Sequence, residues 1–223
     1  MKYDWFLLNF CYNFYYWSFL MKILVVATVP NELKVIKEWI RSAWIKEKLD
    51  IDYLCCGIWN YETISSLEHY LTENKEPTFI WNIWICGYWN PKKEKKSDPI
   101  QVASVANVHT QKELIIPPFL QIAPLESCFC GELPIDEIWK LCSENRITDD
   151  KMFFDMESRW IEFVASKYKY PRLILKIPFL FIENYDKNSR WRYRDLSMWN
   201  FEILRNLPYN NYVYEIISWI NRQ

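Results

Sequence analysis

The chain has 223 residues, enough for one α/β domain with a substantial core. A net charge of -1 and a pI near 6.2 give no electrostatic footing for nucleic acid or an anionic membrane surface. The 7 Cys include the pair Cys55-Cys56 and the Cys128-Phe129-Cys130 spacing but no paired Cys-x-x-Cys zinc pattern, and His69 and His109 are the 2 His, so neither a metal nor a cofactor is expected. Reduced, mostly buried thiols fit a cytoplasmic protein.

Residues 1-20 are aromatic, without a helical or strand period, and are interrupted by Asp4, Asn9 and Asn13. They read as a dispensable extension or an upstream start-site artefact, or alternatively as a short membrane segment; no small-residue cleavage site follows. The expected domain therefore spans 21-223. Ile23 to Ala27 is a continuous apolar β run, the mark of a central strand. Thr28-Val29-Pro30-Asn31-Glu32 forms the turn, with Pro30 suited to a first helical turn, and a helix is predicted to about Lys48.

Asp52 to Cys56 reads as a second strand, Cys56-Gly57-Ile58-Trp59-Asn60 as a loop, and about Tyr61 to Thr72 as a helix. Thr78 to Cys86 is a third strand running into Gly87. The Lys-rich Pro91 to Asp98 is a solvated loop. Ile100 to Val108 alternates like a strand, Pro117-Pro118 breaks the chain, and Phe119 to Phe129 returns to the sheet. A helix is expected from about Asp136 to Glu144. Asp155-Met156-Glu157 then lies at a strand-to-helix corner. Apolar residues Trp160, Ile161, Val164, Ala165 and Tyr168 give the following helix one buried face. Pro171 stops it, and Leu173-Ile174-Leu175 opens another buried strand. Closing helices are expected over 195-207 and 212-220.

A carboxylate at the carboxyl end of a strand, just before a helix, sits where open α/β sheets bind ligands. For Glu32 and Glu157 alike, the plainer reading is a first-turn acid favoured by the helix dipole.

Composition carries a second anomaly. Ordinary usage would give roughly 16 glycines in a chain this long, whereas 3 Gly and 13 Trp together make 16 here. Trp59, Trp84, Trp89 and Trp160 stand where a turn or ligand loop would want Gly. We read many of these tryptophans as glycines in the living cell, from UGA codons decoded as Gly; an AT-rich genome favouring aromatics is the plainer alternative.

Taken together, these segments resemble the purine nucleoside phosphorylase and uridine phosphorylase superfamily, especially its methylthioadenosine/adenosylhomocysteine nucleosidase branch. The resemblance covers roughly residues 21 to 185. It rests most on Asp155-Met156-Glu157, with support from Met21-Lys22-Ile23, Gly57-Ile58-Trp59-Asn60 and Asn82-Ile83-Trp84-Ile85-Cys86-Gly87. It implies a single-domain, three-layer α/β/α fold with a twisted mixed central sheet, a purine nucleoside as small-molecule partner, and a homodimer. It places water activation on Glu32, ribose packing on Met156 and ribose hydroxyl binding on Glu157. Base contacts fall on Cys86 and Gly87, and on Pro134 and Ile135 in the loop from Ser127.

Two departures matter. The Gly-Asp-Pro and Arg phosphate site of the phosphorylases is missing, which favours a nucleosidase over a nucleoside phosphorylase. Leu180 occupies the register of the Asp that protonates the departing purine and cannot donate a proton; Glu183 or Asp186 could substitute from the following loop. An N-ribosyl hydrolase, a nucleoside-binding pseudoenzyme and a plain interaction protein with an indole-filled cleft thus remain open.

Overall fold

A computed structural model describes residues 22-42, 50-57, 59-76, 78-89, 98-108, 110, 112-117, 120-131, 152-181, 212, 213, 215, 216 and 218. Within these residues the chain forms β1 (Lys22–Ala27), α1 (Pro30–Ser42), β2 (Ile51–Cys55), α2 (Asn60–Glu73) and β3 (Thr78–Trp89). There follow β4 (Ile100–Asn107), β5 (Glu113–Ile115), β6 (Leu125–Cys130), β7 (Met152–Asp155), α3 (Ser158–Tyr168) and β8 (Arg172–Phe181). The strands make one mixed sheet of eight, in the order β2-β1-β3-β7-β6-β4-β5, with β8 paired to both β3 and β4.

The 12-residue β3 organises the sheet. Its first half pairs parallel with β1, and Gly87, Tyr88 and Trp89 pair antiparallel with β7. β8 runs parallel along the other edge, from Ile80↔Arg172 to Tyr88↔Phe181 with a register shift at Cys86/Gly87. Because β7 pairs β6, β6 pairs β4 and β4 pairs β8, that half of the sheet closes back on β3. The strand runs on past Gly87, where the sequence places its end at Cys86, because β7 and β8 both hydrogen-bond its last residues.

Alternation on β1 divides the core. Ile23, Val25 and Ala27 pack with Leu33, Val35, Ile36 and Trp39 of α1, together with Val213 and Ile216. Leu24 and Val26 pack with Leu67 and Leu71 of α2 and Ile161, Val164 and Ala165 of α3. Runs buried on both faces, such as Thr78–Tyr88, are what a largely parallel region requires. Trp81, Phe79 and Phe153 are the largest side chains fully buried here; each such burial contributes about 1.5–3 kcal/mol.

Local chemistry fixes the corners. Gly57 has φ +82°, and a Cβ there would lie 2.3 Å from Glu62 Oε2 and 2.6 Å from Glu62 Cβ. Its N–H donates to Thr28 O at 3.1 Å, joining the turn after β2 to the turn after β1. α3 ends at Lys169 in the left-handed conformation (φ 60°), two residues before Pro171. Arg172 reaches back to Glu162 through its Nε (2.7 Å to Oε2) and its Nη2, pinning α3 to the start of β8. Among the described residues, no helix is long and apolar enough to cross a membrane. The helix expected over 136-144, the extension 1-20 and most of the closing tail lie outside the described residues.

Candidate active site

β1 and β7 both end at strand-to-helix corners, and each corner delivers a buried glutamate. Glu32, in the first turn of α1, is 3% exposed. Its Oε2 accepts from Thr28 N–H (2.7 Å), Thr28 Oγ1 (2.6 Å) and Val29 N–H (3.3 Å). These three bonds to one oxygen fix the carboxyl against the turn that Pro30 begins. Burial, reinforced by the negative charge of Glu157, raises its pKa to about 8, against the pull of the Thr28 and Val29 donors.

Glu157 lies immediately before α3 and is 4% exposed. Its Oε2 accepts from Met156 N–H at 3.2 Å, and its Oε1 accepts from the ammonium of Lys176. Asp155, the last residue of β7, receives Ser158 N–H (3.1 Å) and Ser158 Oγ on Oδ2. It thereby caps the first turn of α3 from three residues upstream. The same oxygen lies 2.8 Å from Lys176 Nζ. Lys176 is wholly buried in β8, where it pairs in register with Trp84 of β3.

Burial, helped by the charge of Asp155, holds the Glu157 carboxyl above its ordinary value even though the Lys176 ammonium pulls against it. For Lys176, burial lowers the ammonium's pKa, but the charges of Asp155 and Glu157 outweigh it and hold the lysine above its ordinary value. Cys56 senses both glutamates; burial first, then Glu157, lifts its thiol to about 12, so it stays protonated.

Two of the acids singled out from sequence, Glu32 and Glu157, are therefore near enough for the charge of Glu157 to raise the Glu32 carboxyl, and Met156, next to Glu157 in the chain, is half-buried. Cys86 and Gly87 are buried at the end of β3; Gly87 pairs with Phe154 of β7, which puts Cys86 level with Asp155. Leu180 pairs in register with Gly87. Glu183, Asp186, Pro134 and Ile135 lie outside the described residues. Sequence reasoning assigned nothing to Lys176, because a lysine after Leu173-Ile174-Leu175 looks like the solvated end of a strand. The available signal was its place within a ten-residue run that stays apolar on both sides of it.

The tryptophans at Gly-like positions do not share one environment. Trp84 is 5% exposed and joins the hydrophobic cluster on the α1 side, whereas Trp59 is 52% exposed at the start of α2. Trp160 buries its indole N–H with no hydrogen-bond partner among the described residues. Among those residues Lys169 is the one non-glycine with positive φ, so the backbone at 59, 84, 89 and 160 does not itself demand glycine.

A separate groove of about 390 Å³ runs along α1, lined by Pro30, Leu33, Lys34, Lys37, Glu38, Arg41 and Cys55. Neither Glu32 nor Glu157 lines it. Among the described residues, no group of His, Cys, Asp and Glu is arranged to hold a metal ion.

No family model matches the chain, and no curated protein matches it by sequence. Solved structures do. The 5′-methylthioadenosine/S-adenosylhomocysteine nucleosidase of Streptococcus pneumoniae, in complex with 8-aminoadenine, matches at TM-score 0.62 and 14% identity, over 87% of this chain and 99% of that one. The 5′-methylthioadenosine nucleosidase of Arabidopsis thaliana matches at 0.60 and 15%, over 92% and 97%. A futalosine hydrolase mutant of Helicobacter pylori matches at 0.64 and 11%, over 88% and 99%. The chain thus carries the nucleoside phosphorylase-like fold that these nucleosidases share.

Proposed function

We propose that the protein is an N-ribosyl hydrolase that cleaves the glycosidic bond of a purine nucleoside of the methylthioadenosine or adenosylhomocysteine type. The observation that carries this reading is the convergence of two buried carboxyls, Glu32 and Glu157, from different strand ends of a nucleosidase fold. Loss of a purine from ribose passes through an oxocarbenium-like sugar. The reaction needs a base for water, a holder for the ribose hydroxyls and an acid for the leaving base.

Glu32 supplies the base. The Thr28 and Val29 donors occupy Oε2, leaving Oε1 to take the proton of an attacking water. Glu157 accepts from the ribose hydroxyls while Met156 packs against the sugar. Cys86 and Gly87, with Pro134 and Ile135, line the base. Glu183 or Asp186 stands in for the acid that Leu180 cannot provide. A single three-layer α/β/α domain over 21-223, acting in the cytoplasm as a homodimer in purine salvage, accompanies this reading.

The test is to incubate the protein with 5′-methylthioadenosine or S-adenosylhomocysteine and follow adenine by chromatography. Both the sequence as written and a form with Gly at 59, 84, 89 and 160 are assayed. Adenine release whose kcat/KM climbs as pH rises through about 8, where Glu32 ionises, is the expected result. Release from neither form defeats the hydrolase. Leu180 favours a second reading, a nucleoside-binding protein without turnover, and calorimetric binding in the absence of adenine release would establish it.

A further inference from the structure

We infer that Lys176 is a positioning residue for this site, clamping the Glu157 carboxyl in the orientation that receives two neighbouring ribose hydroxyls. The inference rests on the nucleoside reading above. Its physical basis is a fixed chain of contacts. Ser158 N–H and Oγ hold Asp155, Asp155 Oδ2 lies 2.8 Å from Lys176 Nζ, and that ammonium donates to Glu157 Oε1. Met156 N–H holds Glu157 Oε2 at 3.2 Å. Each oxygen of Glu157 is thus addressed once from the protein side, and a carboxylate oxygen accepts about two hydrogen bonds. One acceptor position per oxygen is left, matching the two hydroxyls of a ribose.

A buried ion pair seldom stabilises a fold more than apolar side chains of the same volume would. A wholly buried lysine between two acids, in a strand otherwise made of Leu, Ile, Pro and Phe after its first residue, therefore calls for another use. The charged and titratable groups around Glu157 are Asp155 of β7, Glu32 of α1, Cys56 after β2 and Cys130 of β6; Cys128 also senses Lys176. Lys176 is the only cation these interactions place against Glu157 among the described residues. Removing it leaves Asp155 and Glu157 facing each other, so Glu157 should hold its proton to higher pH.

The experiment compares Lys176→Met, Lys176→Arg and the double variant Asp155→Asn/Lys176→Met, which removes the excess buried charge should the single variant fail to fold. Two readouts are taken. Carboxyl ¹³C NMR of the ligand-free protein should show the Glu157 titration moving to higher pH in Lys176→Met and returning toward wild type in Lys176→Arg. Calorimetry near pH 7 should show nucleoside binding weakened about tenfold or more in both Met variants, with adenine, which has no ribose, bound as before. Part of the loss in Lys176→Met should be recovered as pH rises.

An unmoved Glu157 titration, or equal loss of adenine and nucleoside, overturns the clamp. If the wild type binds neither ligand, the nucleoside reading fails, while the carboxyl titration still decides whether Lys176 controls Glu157.

Discussion

Replacing Glu32 with Gln removes a titrating carboxyl but keeps an acceptor for the Thr28 and Val29 donors. In the folded protein Glu32 titrates near 8 instead of at the ordinary 4.5, because it is buried and faces Glu157. The native state therefore holds this proton more tightly than the unfolded chain does. For an acid shifted in that direction, stability is fully present below the unfolded value and is lost as pH rises toward the folded one, the reverse of the usual carboxylate. At 1.36 kcal/mol per unit, the loss between pH 4.5 and about 8 amounts to at most about 5 kcal/mol. Urea denaturation of wild type and Glu32→Gln across this range should show wild type losing ground steadily, with a constant difference above pH 8. Adding Glu157→Gln to both proteins should end the decline at a lower pH and reduce the total loss, since one of the two causes that raise the Glu32 carboxyl is gone. A difference that is flat with pH, or that favours wild type as pH rises, would refute the assignment.

Three further outcomes follow from the structure and a fourth from the composition. Gly57→Ala should destabilise by more than about 1 kcal/mol by denaturant melt, since the left-handed backbone and the crowding of Glu62 Cβ at 2.6 Å both oppose a side chain. Lys169→Gly, at the left-handed end of α3, should stabilise by up to about 1 kcal/mol in the same assay. Glu162→Ala leaves Arg172 without its carboxylate, though Ser166 Oγ and Tyr170 O still accept from it, and should cost up to about 3–5 kcal/mol, because this pair is nearly buried, at 2% and 11% side-chain exposure. If UGA is read as Gly in the source cell, mass spectrometry of the native protein should give peptides with Gly at 59, 84, 89 and 160; Trp at all four ends that idea.

The placement of Glu32 and Met156-Glu157 at strand-to-helix corners was legible because each sits at an abrupt change from a period-two or continuous apolar run to a helical period. That change is where a sheet presents its ligand end. Gly57 was legible through its place in a turn between such runs. What stayed hidden depends on partners distant in sequence. Lys176 needs Asp155 and Glu157, 21 and 19 residues away, before its burial makes sense, and Arg172 needs Glu162 across the end of α3. Neither pair has a local period. The extent of β3 was also set from outside, by β7 and β8 pairing beyond Gly87. β5 was missed because its three residues take their order from β4 alone.

The groove along α1 shows why concavity alone is a poor guide here. Its walls are Lys34, Lys37, Glu38 and Arg41 around Pro30, Leu33 and Cys55, and none of Glu32, Glu157 and Lys176 lines it. The proposed chemistry is instead placed where Glu32, Glu157 and Lys176 are taken out of water together, since burial shifts proton affinities.

Whether Glu32 and Glu157 face one ribose, as proposed, is measured directly by a crystal structure of the complex with a non-hydrolysable methylthioadenosine analogue. Both ribose hydroxyls should lie within hydrogen-bonding distance of the Glu157 carboxylate, with Glu32 and an ordered water on the side of the anomeric carbon away from the purine. A nucleoside bound elsewhere, or seated with its ribose turned from Glu157, would contradict it.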